Sequence, residues 1–152
     1  MAPTAYGKAQ VNPLPQITIT YEDLAILSAL VPQAMAAGRY AAASRLADEL
    51  HRAHVVEAAR APQDCLFLHV PGQYLEERSG AVREVTLVPG RGSAAVGLVS
   101  VLSPVGTALL GLSAGQRTGW LDPRGKPRML RLLRVHHQDR ANAKRPATEP
   151  RP

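Results

Sequence analysis

The chain has 152 residues, 45% hydrophobic and 20% charged, a size and composition that suit one core with a small appendage and exclude a large multidomain enzyme or wholesale disorder. Eighteen Lys and Arg against twelve Asp and Glu give a net charge of +6, which favours an acidic partner, while aromatics at 4% exclude the stacking platform of a single-strand nucleic-acid binder. The lone cysteine, Cys65, excludes an intramolecular disulfide and a cysteine-based zinc site, and reads as a core filler suited to a reducing cytosol.

Residues 1–15 are rich in Pro, Gly and polar residues, so a flexible segment without a secretory signal is expected there. Ile17 to Thr20 form a short β-prone run, and Glu22 and Asp23 then open a helix whose early carboxylates suit the N-terminal dipole. Leu24, Leu27, Leu30 and Val31 recur at helical spacing until Pro32, which is expected to end the helix, with residues 33–38 as a tight link hinged at Gly38. A second helix is predicted from Arg39 to Ala59, with Ala43, Leu46, Leu50 and Ala53 on one stripe and Arg45, Asp48, Glu49 and Arg52 on the outer side. Residues 16–60 thus read as a short antiparallel helical hairpin.

From Cys65 the pattern turns to strands: Cys65–Val70, Val82–Val88 and Val96–Leu102, with Pro71-Gly72 and Arg78-Ser79-Gly80 as separators. Ser103 caps a short helix that begins at Pro104 and stops at Gly111. Arg117–Leu121 and Arg128–His136 are expected to pair as a hairpin across residues 122–127. Residues 61–138 form the globular part, and 139–152 read as a disordered basic tail. The uncharged stretch Ser93–Gly115 is long enough to span a bilayer, but its Gly, Ser and Pro interruptions point to a buried strand and a buried helical turn, so no membrane partner is expected. The fold class is α+β.

The string from Ser100 to Leu112, Ser-Val-Leu-Ser-Pro-Val-Gly-Thr-Ala-Leu-Leu-Gly-Leu, resembles the signature of the C-terminal domain of the Gre transcription elongation factors, and is most similar to the branch called nucleoside diphosphate kinase regulator, or Rnk. Glu84–Val88, Leu46–Ala53 and the approach from Gly115 to Trp120 extend the resemblance over residues 17–138. It implies an N-terminal coiled coil, an FKBP-like antiparallel sheet wrapped on a short helix, and a cytoplasmic protein that docks on RNA polymerase at the mouth of its secondary channel. Docking roles carry over to Leu102, Ser103 and Pro104, and Gln33, Met35 and Arg39 would form the tip presented to the channel.

Cleavage factors of this family place carboxylates at the tip to hold a second Mg²⁺, because oxygen ligands hold that ion in a two-metal hydrolysis. Residues 31–39 of this chain contain no carboxylate, and an arm of roughly a dozen to twenty residues reaches only about 18 to 30 Å. The expectation is a non-enzymatic regulator that needs no cofactor, metal or small-molecule substrate. Arg91 also stands in the loop 89–95, where the family often carries acid.

Other readings carry less. Gly90-x-Gly92-x-x-Ala95 fits a dinucleotide fingerprint in letters only, since a strand and not a helix follows. His51 and His54, three apart on the predicted second helix, could ligate a metal only with a third group, and such positions are far more usually solvated or lightly packed. A prolyl isomerase pocket would need more aromatics than Phe67, Tyr74 and Trp120. The alternative function is a basic nucleic-acid-binding regulator using the strip from Arg117 to Arg134, with Arg124, Lys126 and Arg128 as contacts, helped by Arg140, Lys144, Arg145 and Arg151 in the tail.

Overall fold

The computed structural model describes residues 14–136. Residues 1–13 of the expected flexible segment 1–15, the basic tail and His137 lie outside the described residues. Strand β1 (Thr18–Thr20) leads into helix α1 (Tyr21–Ala36), which reverses into α2 (Tyr40–Arg52) and strand β2 (His54–Val56). Strands β3 (Pro71–Glu76), β4 (Ala81–Val88) and β5 (Leu98–Ser100) precede helix α3 (Pro104–Leu109), and β6 (Arg117–Leu121) and β7 (Pro127–Val135) complete the chain. The sheet runs β5-β4-β3-β7-β6, antiparallel throughout except for the parallel pair β4–β5. A second, two-stranded parallel sheet joins β1 to β2 at the base of the helical arm. The α+β class, the N-terminal hairpin and a sheet curled on one short helix are as the sequence indicates.

Several elements differ from the sequence reading, and Pro71-Gly72, read as a separator, instead opens strand β3 in the middle of the sheet. Helix α1 does not stop at Pro32 but continues to Ala36. Pro32 deprives only the Ser28 carbonyl of a helical donor, and Ser28 is exposed, so the lost bond leaves no polar group buried. The helix ends instead at Gly38, whose φ of 80° lets Gly38 N–H reach the Met35 carbonyl at 3.0 Å and Arg39 N–H reach that of Ala34 at 2.9 Å. Gln33 and Met35 therefore belong to the last turn of α1, and Arg39 alone of the three tip residues lies in the link.

Helix α2 ends at Arg52, not Ala59, because Ala53 turns extended and the β-branched pair Val55-Val56 aligns with Ile19 and Thr20. His51 and His54 consequently occupy a helix and a strand. Cys65–Val70 is not a strand. Its N–H groups go to unrelated partners, Leu66 to the Leu112 carbonyl and His69 to that of Leu87, and His69 has a left-handed φ of 66°. A short apolar run says that a segment is buried without saying that it pairs in a ladder. The third strand is cut to Leu98–Ser100, since 94–96 form a 3₁₀ turn and Ser100 Oγ folds back to accept from Leu102 N–H at 3.1 Å.

Ile17, Ile19, Leu27 and Leu46 from the arm and its base are fully buried in the same apolar cluster as Leu66, Leu87, Leu109, Leu130 and Leu132. Polar ties cross the same boundary. Thr18 N–H donates to the Gly111 carbonyl at 3.1 Å, and Asp23, at the start of α1, accepts from Leu68 N–H at 3.0 Å. Among the described residues no helix is long and apolar enough to cross a membrane, and the uncharged stretch is spent on β5, α3 and their turns.

Candidate functional site

The segment from Ser100 to Gly111 is held by its own side chains. Ser103 Oγ accepts from Gly106 N–H at 3.0 Å, capping α3, and donates to the Ser100 carbonyl at 2.8 Å. Thr107 Oγ1 lies 2.6 Å from the Val101 carbonyl and 3.0 Å from that of Ser103, so the chain reversal before the helix leaves few acceptors unused. Gly106 permits the closeness: a Cβ there would fall 1.9 Å from the Ser100 carbonyl oxygen. The spacing of Ser, Pro, Gly and Thr in this motif is thus the geometry of one tight reversal.

Of the residues expected to dock, Ser103 and Pro104 are half-exposed, whereas Leu102 is only 5% exposed and faces the core. The Leu102 carbonyl is also occupied, by Arg45 Nη2 of α2 at 3.1 Å. Arg45 is a functional candidate that sequence reasoning placed on the outer face of its helix. Burial lowers its pKa, and the like charge of Arg39 lowers it further, yet a guanidinium remains a cation in proteins. Its Nε is buried without a hydrogen-bond partner. No local pattern signals the contact, because the partner lies 57 positions away. The loop 89–95 sits beside this reversal, through the Val88–Ser100 pairing of β4 and β5, and it exposes Arg91.

The arm ends in Gln33, Met35 and Arg39, all exposed, with Tyr40 beside them at 63% exposure. From Leu24 to Gly38 no charged side chain occurs. The carboxylates lie towards the base: Asp23 opens α1, Asp48 is exposed in the second half of α2, and buried Glu49 forms a 3.0 Å ion pair with Arg52. The rise of a helix sets Asp23 about 20 Å and Asp48 about 12 Å from the reversal. Among the described residues no group of three or more His, Cys, Asp and Glu is arranged to hold a metal.

The basic strip is less free than its composition implies. Arg117 forks onto Glu77 at 2.7 and 2.9 Å, and Arg131 approaches the same carboxylate at 3.9 Å. The hydrogen bond from Arg117 is the main reason that the Glu77 pKa is lowered. Arg128 is held by Asp122 Oδ2 at 3.1 Å, while Arg124 and Lys126 stand exposed in the β6–β7 turn. The structure brings Arg124, Lys126 and Arg128 together at one end of the sheet, far from Ser103.

A family model described as the Rnk N-terminus matches residues 15–56, the arm and its two base strands. Proteins named regulator of nucleoside diphosphate kinase, from Escherichia coli (strain K12) and Shigella flexneri, are each 32% identical over 128 residues, or 84% of this chain and 93% of theirs. The solved structure of a prokaryotic transcription elongation factor GreA/GreB from Nitrosomonas europaea is 30% identical, with a TM-score of 0.62, over 80% of this chain and 98% of that one. An arm on a curled sheet, with a capped reversal at its root, is therefore the Gre type of architecture. Within it, the chain belongs to the Rnk family of nucleoside diphosphate kinase regulators.

Proposed function

We propose that the chain is a transcription regulator that docks on RNA polymerase at the mouth of the secondary channel and directs its arm inward without cleaving RNA. Its relatives are named as regulators and as an elongation factor, and a polymerase partner would place it in the cytoplasm. Ser103 and Pro104 supply the accessible part of the docking surface, and Leu102 holds the reversal in shape from within. Gln33, Met35 and Arg39 meet the channel. The observation that carries the non-cleaving part is the tip itself, which offers an amide, a thioether and a cation but no oxygen anion for Mg²⁺.

The test is competition on polymerase core. The full chain should displace a labelled cleavage factor stoichiometrically and should leave backtracked complexes uncleaved at every Mg²⁺ concentration. Failure to compete at saturating protein overturns the docking, and transcript shortening above background overturns the assignment of the tip.

A further inference from the structure

At the end of the sheet remote from Ser103, the β3–β4 and β6–β7 turns lie side by side. The register requires it: Glu76 pairs with Ala81 on one side and with Leu130 on the other, and Glu77 N–H donates to the Met129 carbonyl at 3.0 Å. Arg78 from the first turn and Arg124, Lys126 and Arg128 from the second then line one open depression of about 280 Å³, with Pro123 and Asp122.

Its single carboxylate is already engaged. Asp122 Oδ1 accepts from the N–H groups of Arg124 and Lys126, each at 2.9 Å, and Oδ2 takes Arg128 Nε. The flanking acids are occupied as well, Glu76 by Ser79 Oγ at 2.6 Å and Glu77 by Arg117. Arg78, Arg124 and Lys126 are exposed and take part in none of the ion pairs among the described residues. Three uncommitted cations on a frame fixed by Asp122 are built to meet negative charge.

The shape selects among anions. At about 280 Å³ and open to solvent, the depression falls just under the usual size of a pocket that encloses a small ligand. Its lining holds no aromatic on which an unpaired base could stack, and beyond Pro123 no apolar anchor for a protein partner. Three exposed cations around an open depression suit the repeated phosphates of a double helix, read without regard to sequence. We infer that the paired turns carrying Arg78, Arg124 and Lys126 form a contact site for the phosphate backbone of duplex nucleic acid, distinct from the docking surface at Ser103. The site differs from the strip suggested by composition, since Arg117 and Arg131 are withdrawn by Glu77 and Arg78 joins from a neighbouring turn.

The test is fluorescence anisotropy of a labelled duplex of about 20 base pairs with the full chain, between about 50 and 200 mM salt. Three neutralised phosphates predict a slope of log K against log salt of about −2.7. The variant Arg78→Ala/Arg124→Ala/Lys126→Ala should bind at least tenfold more weakly and with a clearly shallower slope, and circular dichroism should show that it remains folded. Arg78→Lys/Arg124→Lys, which keeps the charge, should retain binding. A wild-type chain that does not bind, a triple variant that binds like wild type, or loss of binding on Lys144→Ala/Arg145→Ala instead would overturn the site. Displacement of the duplex by micromolar ATP at constant ionic strength would reassign it to a free nucleotide and so also overturn it. Polymerase competition by the triple variant should be unchanged, which separates this site from the docking reading.

Discussion

Arg45 Nη2 donates to the carbonyl oxygen of Leu102 at 3.1 Å, and so ties the middle of the second arm helix to the residue that precedes the capped reversal. This contact links the arm directly to the docking loop, beside the core packing and the Thr18 and Asp23 hydrogen bonds that also seat the arm, and it is made by a side chain partly withdrawn from water.

Replacing Arg45 by Leu should leave the Leu102 carbonyl without its donor and destabilise the chain by about 1 to 3 kcal/mol, the usual cost of an unsatisfied group away from water. Chemical denaturation measures it. Polymerase competition should weaken beyond what the lost stability explains, and unchanged competition would detach Arg45 from docking.

Gly106→Ala should be more damaging, costing at least about 3 kcal/mol, because the new methyl would press on the Ser100 carbonyl and neither backbone segment has room to retreat. Gly90→Ala, which meets nothing within 4 Å, is the matched control and should be near neutral. Thermal unfolding of the two variants side by side decides the matter.

Leu109→Ala should cost about 2 to 5 kcal/mol, since Leu109 is wholly buried. Leu50→Ala, at a half-buried position of α2, should cost less. We propose residue 60 as the boundary between the arm and the globular part. A fragment starting at Ala61 tests it, for the cut removes Ile17, Ile19, Leu27 and the Asp23 acceptor of Leu68 N–H. The expected outcome is a folded fragment with a lower midpoint than the full chain, followed by circular dichroism and hydrogen exchange. A fragment without protected amides would merge the two parts into one folding unit.

Asp122 should remain ionised to unusually low pH. The N–H of Lys126 is the largest cause of its lowered pKa, followed among the favourable contacts by Arg128 and the N–H of Arg124. A depressed folded pKa means that the clamp on the β6–β7 turn is complete above the ordinary aspartate range and is lost as pH falls through the folded value. In an NMR titration the amides of Arg124 and Lys126 should shift together, with a midpoint below that of a free aspartate. A midpoint at or above the ordinary value would contradict the clamp.

Much of this was legible in the residues. The Ser103 cap, Pro104 at the helix start and the final hairpin follow from local chemistry acting over a few positions, and the structure keeps each of them. Pro32 misled because the cost of a proline in a helix depends on whether the orphaned carbonyl reaches water, which is a tertiary fact. Cys65–Val70 misled for a related reason: burial was evident, but hydrogen-bond partners scattered over distant segments leave no period behind. Arg45 and Arg78 were invisible as site residues because each gains its meaning from a strand or turn far along the chain.

The parallel clamp of β1 on β2, Thr18 on His54 through Thr20 on Val56, brings the chain into the arm and out of it along one line. The arm is therefore inserted like a cassette, and its length is a free variable. Seven residues added to each helix near the tip would extend the reach by about 10.5 Å while leaving every contact at the root in place. Arms of different length, or tips of different chemistry, could be exchanged on this one base, so that reach and payload evolve separately from the anchor.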